Sequence, residues 1–245
     1  MPVHALLAAG GRGLRLGGDP PKQLLEVAGR PLLLWAIGRL RAAGIERFVV
    51  ALPADLLPAA ERALSGVVGV ELTIGGGTRQ DSVERALAAS ATGPEDLVLV
   101  HDAARAAVHP EDVAAVIAAA QAGPRDAPED APGDAPEGAV LGRPVSDTLK
   151  RVEAGRVVST VARDGLFRAE TPQVFRRSVL QGAYQRAHAD GFHGTDECSL
   201  VERLPGARIA AVAARHPNPK LTYAADLRWI ELLLRASGAT VEAGR

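Results

Sequence analysis

The 245-residue chain is poor in several residue types, and each shortage excludes something. Cys198 is its only cysteine, so an intrachain disulfide and a cysteine metal cluster are both ruled out. That residue reads as a small buried hydrophobe, not a nucleophile. Aromatics make up only 3%, so the core is expected to be built from Ala, Val and Leu. No apolar run approaches the roughly 20 residues that cross a bilayer. The first residues enter an apolar strand with no charged-then-apolar leader, which sets a cytoplasmic location as the expectation. A net charge of −1 gives no basic field for nucleic acid. Lysine is scarce as well: of 28 Lys and Arg, only Lys22, Lys150 and Lys220 are Lys. In a chain so biased to Arg, a retained lysine marks a place where a compact point charge serves better than a planar fork.

What is present alternates. Apolar runs at 3–7, 48–52, 70–74 and 97–100 read as strands, and 31–43, 53–65, 78–91 and 110–122 as helices. Such alternation predicts a parallel sheet covered on both faces, with ligands outside the carboxyl ends of its strands. Residues 123–138, GPRDAPEDAPGDAPEG, have no periodic apolar face and read as a flexible acidic insertion. Beyond it, 139–143 and 208–213 read as strands and 176–189 and 224–236 as helices. Residues 148–161 have the look of an exposed hairpin arm. The whole is expected to form a single domain over 1–245.

The chemistry concentrates in the loops. AAGGRGLRLGGDPPKQ, residues 8–23, follows the first strand. Small residues let the backbone bend and approach a ligand, and successive N–H groups form an anion-binding concavity. Arg15 and Lys22 add two cations to it, a combination suited to a polyphosphate. The loop is not a dinucleotide fingerprint, because Leu16 stands where the third glycine belongs. Nor is it a P-loop, which needs Lys followed by Ser or Thr. GGGTRQDSV, residues 75–83, turns the third strand into a helix; its glycines allow close approach and Ser82 offers a hydroxyl to a base or ribose. HDAAR, residues 101–105, ends an apolar strand with Asp102 for a sugar hydroxyl or a metal and Arg105 for a phosphate. The third lysine, Lys220, sits in NPKLT before the last helix.

In this order, with PVSDTLK, TVARDGLFRAETPQVF and TDECSLVE, these segments resemble the 2-C-methyl-D-erythritol 4-phosphate cytidylyltransferase family. The resemblance implies a Rossmann-like nucleotidyltransferase (GT-A-like) α/β fold: a mostly parallel sheet, helices on both faces and a projecting β-hairpin arm at about 144–163. It implies a CTP site lined by Ala9, Gly10, Gly11, Gly13 and Leu14, with cytosine read by Gly76, Gly77 and Ser82 and Ala103 beside the ribose. Arg15, Lys22 and Lys220 would contact the triphosphate and the developing charge. Asp102, Arg105, Thr148, Arg163, Thr171 and Thr195 would surround the polyol phosphate. It also implies a homodimer through the arm, Arg163 and Thr171 reaching the partner's site, and Mg²⁺ bound mainly through CTP phosphates. Gly10 stands where Ala is usual, Leu14 where a basic residue is common, and Gly77 where a polar one often occurs.

The reaction so implied joins CMP from CTP to a polyol phosphate and releases pyrophosphate. An anionic acceptor needs no strong base, so positioning and charge neutralisation carry the rate. Two alternatives stay open on the residues: a cytidylyltransferase for another polyol phosphate such as ribitol 5-phosphate, and a non-catalytic nucleotide-sensing module. A glycosyltransferase would want an Asp-x-Asp motif, and 101–104 holds one acid.

Overall fold

The computed structural model describes residues 2–11, 13, 21–122 and 136–236. Strand β1 (Val3–Ala8) leads to a small ribbon, β2 (Glu26–Val27) and β3 (Arg30–Pro31), and then to α1 (Leu32–Ala42) and β4 (Arg47–Leu52). A 3-10 turn at Ala54–Leu56 opens α2 (Leu57–Ala63), followed by β5 (Val70–Ile74), α3 (Arg79–Ala89), β6 (Leu97–Asp102) and α4 (Pro110–Gln121). The second half runs β7 (Gly138–Pro144), β8 (Leu149–Glu153), β9 (Arg156–Val161), β10 (Phe167–Arg176), α5 (Arg177–Asp190), α6 (Glu197–Val201), β11 (Ile209–Ala213) and α7 (Ala224–Ala236).

Seven strands form one sheet in the order β11-β7-β10-β6-β1-β4-β5. Neighbours pair in parallel except at β10, which runs antiparallel between β6 and β7. Alternate residues of each strand feed opposite faces, as the two-residue period requires. Leu7, Val50 and Leu99 pack under α1, α2 and α4, while Leu6, Val49, Val98 and Val100 pack under α3, α5 and α6. The core is aliphatic as expected, and three of the few aromatics, Phe48, Phe175 and Tyr184, are among its largest fully buried side chains. A third cluster seats α7, through Ile230 and Leu234, against Trp35, Leu221 and the ribbon's Val27. Because the chain leaves β1 toward β4 on one side and returns as β6 on the other, a crevice opens between the carboxyl ends of β1 and β6.

Two readings change. The sequence pattern does not predict a strand over 167–176: these residues place Glu170, Thr171, Pro172 and Gln173 at its centre, and proline cannot donate to a ladder. The strand accommodates them with a register shift against β7 between Ala169 and Gln173. The pattern also extends the acidic segment to 138, but Gly138 already belongs to β7, paired with Phe175 and Ile209; residues 123–135 lie outside the described part. The arm is a two-stranded hairpin, β8 against β9, that pairs with no strand of the main sheet. Ala154 and Gly155 turn it with φ of 46° and 77°, the two positive values that a two-residue hairpin loop calls for.

Candidate active site

The crevice holds two cavities that share a wall. The first, of about 270 Å³, is lined by the end of β1 and its loop, by 76–79 with Ser82, by Asp102 to Ala104, and by Lys22 and Lys220. The second, of about 260 Å³, is lined by Arg105, Thr171, Gln173, Thr195 and Asp196 among others. Arg79, Asp102 and Lys220 belong to both.

Two glycine loops shape the first cavity. A Cβ on Gly11 would lie 2.7 Å from Lys22 Cε and 2.9 Å from Nζ, so the lysine lies directly across bare backbone. Gly13, at φ +67°, is held under Lys22 Cβ in the same way. In the other loop a Cβ on Gly76 would fall 2.1 Å from Asp81 Cβ. Thr78 and Asp81 close a capping box that starts α3 there. Ser82 is buried: its Oγ accepts from Gly76 N–H at 3.0 Å and donates to Thr78 O at 2.8 Å. The hydroxyl therefore holds the glycine loop in shape, its oxygen on Gly76 and its proton on Thr78.

A chain of alternating charges forms the shared wall. Lys220 Nζ lies 2.6 Å from Asp102 Oδ2, and Arg79 Nε donates to Asp102 Oδ1 at 3.0 Å. The two terminal nitrogens of Arg79 grip both oxygens of Glu197 at 2.9 Å, the bidentate geometry in which Arg–carboxylate pairs are strongest. Glu197 is fully buried and also accepts from Tyr184 Oη at 3.4 Å. Burial works to raise the Asp102 pKa, but the charges of Arg79 and Lys220 outweigh it and hold the carboxyl well below the usual carboxylate range. For Arg79, burial alone would lower the pKa; Glu197 and Asp102 reverse that and keep it firmly cationic.

A second, uncharged chain runs beneath. Asp102 N–H donates to Thr171 Oγ1 at 3.1 Å, and Thr171 Oγ1 is 3.1 Å from His101 Nδ1. His101 Nε2 lies 3.1 Å from Arg105 O, which can only accept. The proton of the imidazole is therefore on Nε2, and the Thr171 hydroxyl donates to Nδ1. Burial pushes the His101 pKa down to about 4, so the ring is neutral near pH 7 and both its nitrogens are engaged. Asn218 anchors the loop that carries Lys220, donating to Thr171 O at 2.8 Å and accepting from Arg105 through its backbone carbonyl at 2.7 Å.

This architecture matches known proteins. The family model described as IspD, 2-C-methyl-D-erythritol 4-phosphate cytidylyltransferase, matches residues 3–236. The chain belongs to this family. A 2-C-methyl-D-erythritol 4-phosphate cytidylyltransferase from Cereibacter sphaeroides is 44% identical to it over 237 residues, covering 96% of this chain and 97% of the relative. One from Saccharopolyspora erythraea is 43% identical over 240 residues, covering 96% and 100%. The crystal structure of the Thermus thermophilus 2-C-methyl-D-erythritol 4-phosphate cytidylyltransferase superposes with a TM-score of 0.77 at 34% identity, over 96% of this chain and all of that one. As a member of the IspD family the chain is a cytidylyltransferase, with the mostly parallel α/β fold and hairpin that its sequence implies.

Within this IspD-family fold the predicted residues distribute unevenly. Ala9, Gly10, Gly11, Lys22, Gly76, Gly77, Ser82, Ala103 and Lys220 converge on the first cavity, and Asp102 joins them. Arg105, Thr171 and Thr195 converge on the second, so Thr171, expected at the partner's site, instead sits buried in this chain's own cavity, bonded to Asp102 and His101. Arg15 and Leu14 lie outside the described residues. Thr148 and Arg163 stand on the arm segment, lining neither cavity, and Arg163 donates to the backbone carbonyl of Ser146. Sequence reading missed Arg79 and Glu197, although both stand in quoted motifs, because nothing in one dimension shows that residues 118 apart pair. It also missed Gln23, which lines the first cavity with a buried carboxamide that has no partner among the described residues.

Proposed function

We propose that this site transfers CMP from CTP to 2-C-methyl-D-erythritol 4-phosphate, the first cavity holding the nucleotide and the second the polyol phosphate. The shared wall carries the reading: a reaction that joins two anions needs cations where the two cavities meet, and Lys220 and Arg79 stand there. A phosphate oxygen of the acceptor attacks the α-phosphorus, a P–O bond forms, and the bond to the β-phosphate breaks to release pyrophosphate. The acceptor is already an anion, so no side chain has to remove a proton. Lys22, lying over the glycine backbone, faces the triphosphate. Lys220, with Arg15 as the sequence motif implies, opposes the charge that develops on transfer. Gly76 and Gly77 read the base at close range, Ala103 lies beside the ribose, and Arg105, Thr195 and Asp102 take the acceptor's phosphate and hydroxyls.

Mg²⁺ fits this arrangement. Among the described lining residues of the nucleotide cavity the one carboxylate, Asp102, already holds Arg79 and Lys220, which suits a cation that would be held mainly by the CTP phosphates. When bound it neutralises charge on the triphosphate. The one His and Glu group with metal-ligand spacing among the described residues, His109, Glu111 and His216, lines neither cavity.

The arm supports a homodimer. Val152, Val157 and Val158 are exposed on a hairpin with no sheet partner of its own, and a second copy would cover them and bring Thr148 and Arg163 to a neighbouring site. The cytoplasm is the proposed location; no helix among the described residues is long and apolar enough to cross a membrane. The test is pyrophosphate release from CTP with Mg²⁺. Release that depends on methylerythritol 4-phosphate, exceeding that with ribitol 5-phosphate or no acceptor, is expected. Release only with ribitol 5-phosphate would move the acceptor, and CTP binding without release would point to a sensing module.

A further inference from the structure

Glu197 touches neither substrate cavity, yet it is wholly buried at the end of the charge chain that separates them. Its place is unusual in what it joins. Arg79 is the first residue of α3, immediately after the glycine loop of the nucleotide cavity, and Glu197 is the first residue of α6, immediately after Thr195 and Asp196 of the acceptor cavity. The same two segments are tied a second time: Gln80 Oε1 accepts from Gly194 N–H at 2.9 Å, and its Nε2 donates to Phe192 O at 3.4 Å. Gln173 fixes the acceptor side, donating to Asp196 at 2.7 Å and accepting from Cys198 N–H at 3.1 Å. The two binding loops are therefore one mechanical unit, with an ion pair at its centre.

Asp102 has two oxygens, and the chain assigns one to Arg79 and the other to Lys220. An acceptor hydroxyl that donates to Asp102 Oδ2 competes with Lys220 for it, and a displaced Lys220 turns its charge to the phosphates next door. For that exchange to work, Asp102 must stay in place when the lysine leaves. Arg79 holds it, and Arg79 is itself held by both oxygens of Glu197. Without that grip the guanidinium is free to follow Asp102, and the carboxylate to follow the lysine.

We infer that Glu197 is a positioning residue that couples the two cavities: by fixing Arg79 it makes occupation of the acceptor cavity strengthen the hold of Lys220 on the nucleotide. The inference rests on the assignment of the two cavities given above, and deepens it. A purely structural ion pair would tie α3 to α6 and nothing more. The two roles differ in what they predict for binding.

The test is calorimetric titration of the full-length protein with the α,β-methylene analogue of CTP, which cannot release pyrophosphate, with and without methylerythritol 4-phosphate. In the wild-type protein the acceptor is expected to tighten analogue binding about fivefold or more, the lower range of measured site-to-site couplings. In Glu197→Gln the affinity for the analogue alone is expected to stay within about twofold while the acceptor's effect disappears. Steady-state turnover should then fall with little change in the KM for CTP. Tyr184→Phe, which removes only the 3.4 Å contact to Glu197, should keep the coupling. Should Glu197→Gln fail to fold, Glu197→Asp serves: its shorter side chain keeps the charge but loses the two-point grip, and a reduced coupling is expected. Coupling that survives intact in the variant, or a wild-type protein that binds the analogue with no response to acceptor, overturns the inference. Failure of the wild-type protein to release pyrophosphate from CTP would instead overturn the assigned reaction.

Discussion

The two halves of the sheet do different work under different constraints. On one side β5, β4, β1 and β6 run parallel, and the loops after β1, β5 and β6 line the first cavity. On the other, β10 runs against its neighbours and brings side chains, Thr171 and Gln173, into the acceptor cavity. On the proposed assignment the parallel half meets the nucleotide at close range, through small residues with Lys22 beside them. The mixed half recognises by placed polar groups, so its essential residues are buried and hydrogen-bonded. A substitution should therefore cost chemistry in the first half and stability in the second.

The largest expected effect sharpens this contrast. Lys22→Ala should lower kcat by about 10²–10³, the loss seen when one group stabilising a developing charge is removed, with the melting temperature nearly unchanged. Pyrophosphate release and calorimetry on the same sample measure both. Turnover near that of the wild type would remove Lys22 from the machinery.

Next comes acid stability, which belongs to the seam between the halves, where His101 of β6 faces Thr171 of β10. The His101 ring is held neutral with a pKa of about 4, whereas an unfolded histidine titrates near 6.5. Between those values the unfolded chain binds a proton that the folded one refuses, so stability is fully present above about 6.5 and falls as the pH falls toward 4. At about 1.4 kcal/mol per pH unit the loss approaches roughly 3 kcal/mol. His101→Gln should flatten that part of a urea-denaturation profile against pH. An unchanged slope would break the link.

The smallest effect is at the β7–β10 contact. A Cβ on Gly142 would lie 2.3 Å from Phe167 Cε1 and 2.5 Å from Arg168 O, so Gly142→Ala should cost about 1–3 kcal/mol by overpacking. Denaturation midpoints report it. An equal loss of CTP affinity would show that the two halves are less separable than their geometry suggests.

The halves also differ in how far they can be read from sequence. In the parallel half the buried strands are mostly apolar runs, and the loops after β1 and β5 carry glycines beside charges. Both β5 and α7 are found with the bounds their patterns set. In the mixed half the signal fails where function intrudes. The centre of β10 gives up apolar alternation for Glu170, Thr171, Pro172 and Gln173, which serve the site or its supports, and the local pattern no longer looks like a strand. The pairing of Arg79 with Glu197 is invisible for another reason: it depends on α6 packing beside α3, and only the assembled sheet decides that. The lysines are informative because the chain has so few; two of the three face the nucleotide cavity.

The direction of β7 settles where this molecule can change length. Its first residue, Gly138, sits opposite Phe175, which in turn pairs with Val98 at the start of β6, whereas both cavities open beyond Asp102 at the far end of that strand. Whatever joins the sheet through Gly138 joins it from behind the working edge. Additions there are spared the spacing rules that govern the loops in front, which makes this junction the natural port for a grafted tag or fluorescent reporter.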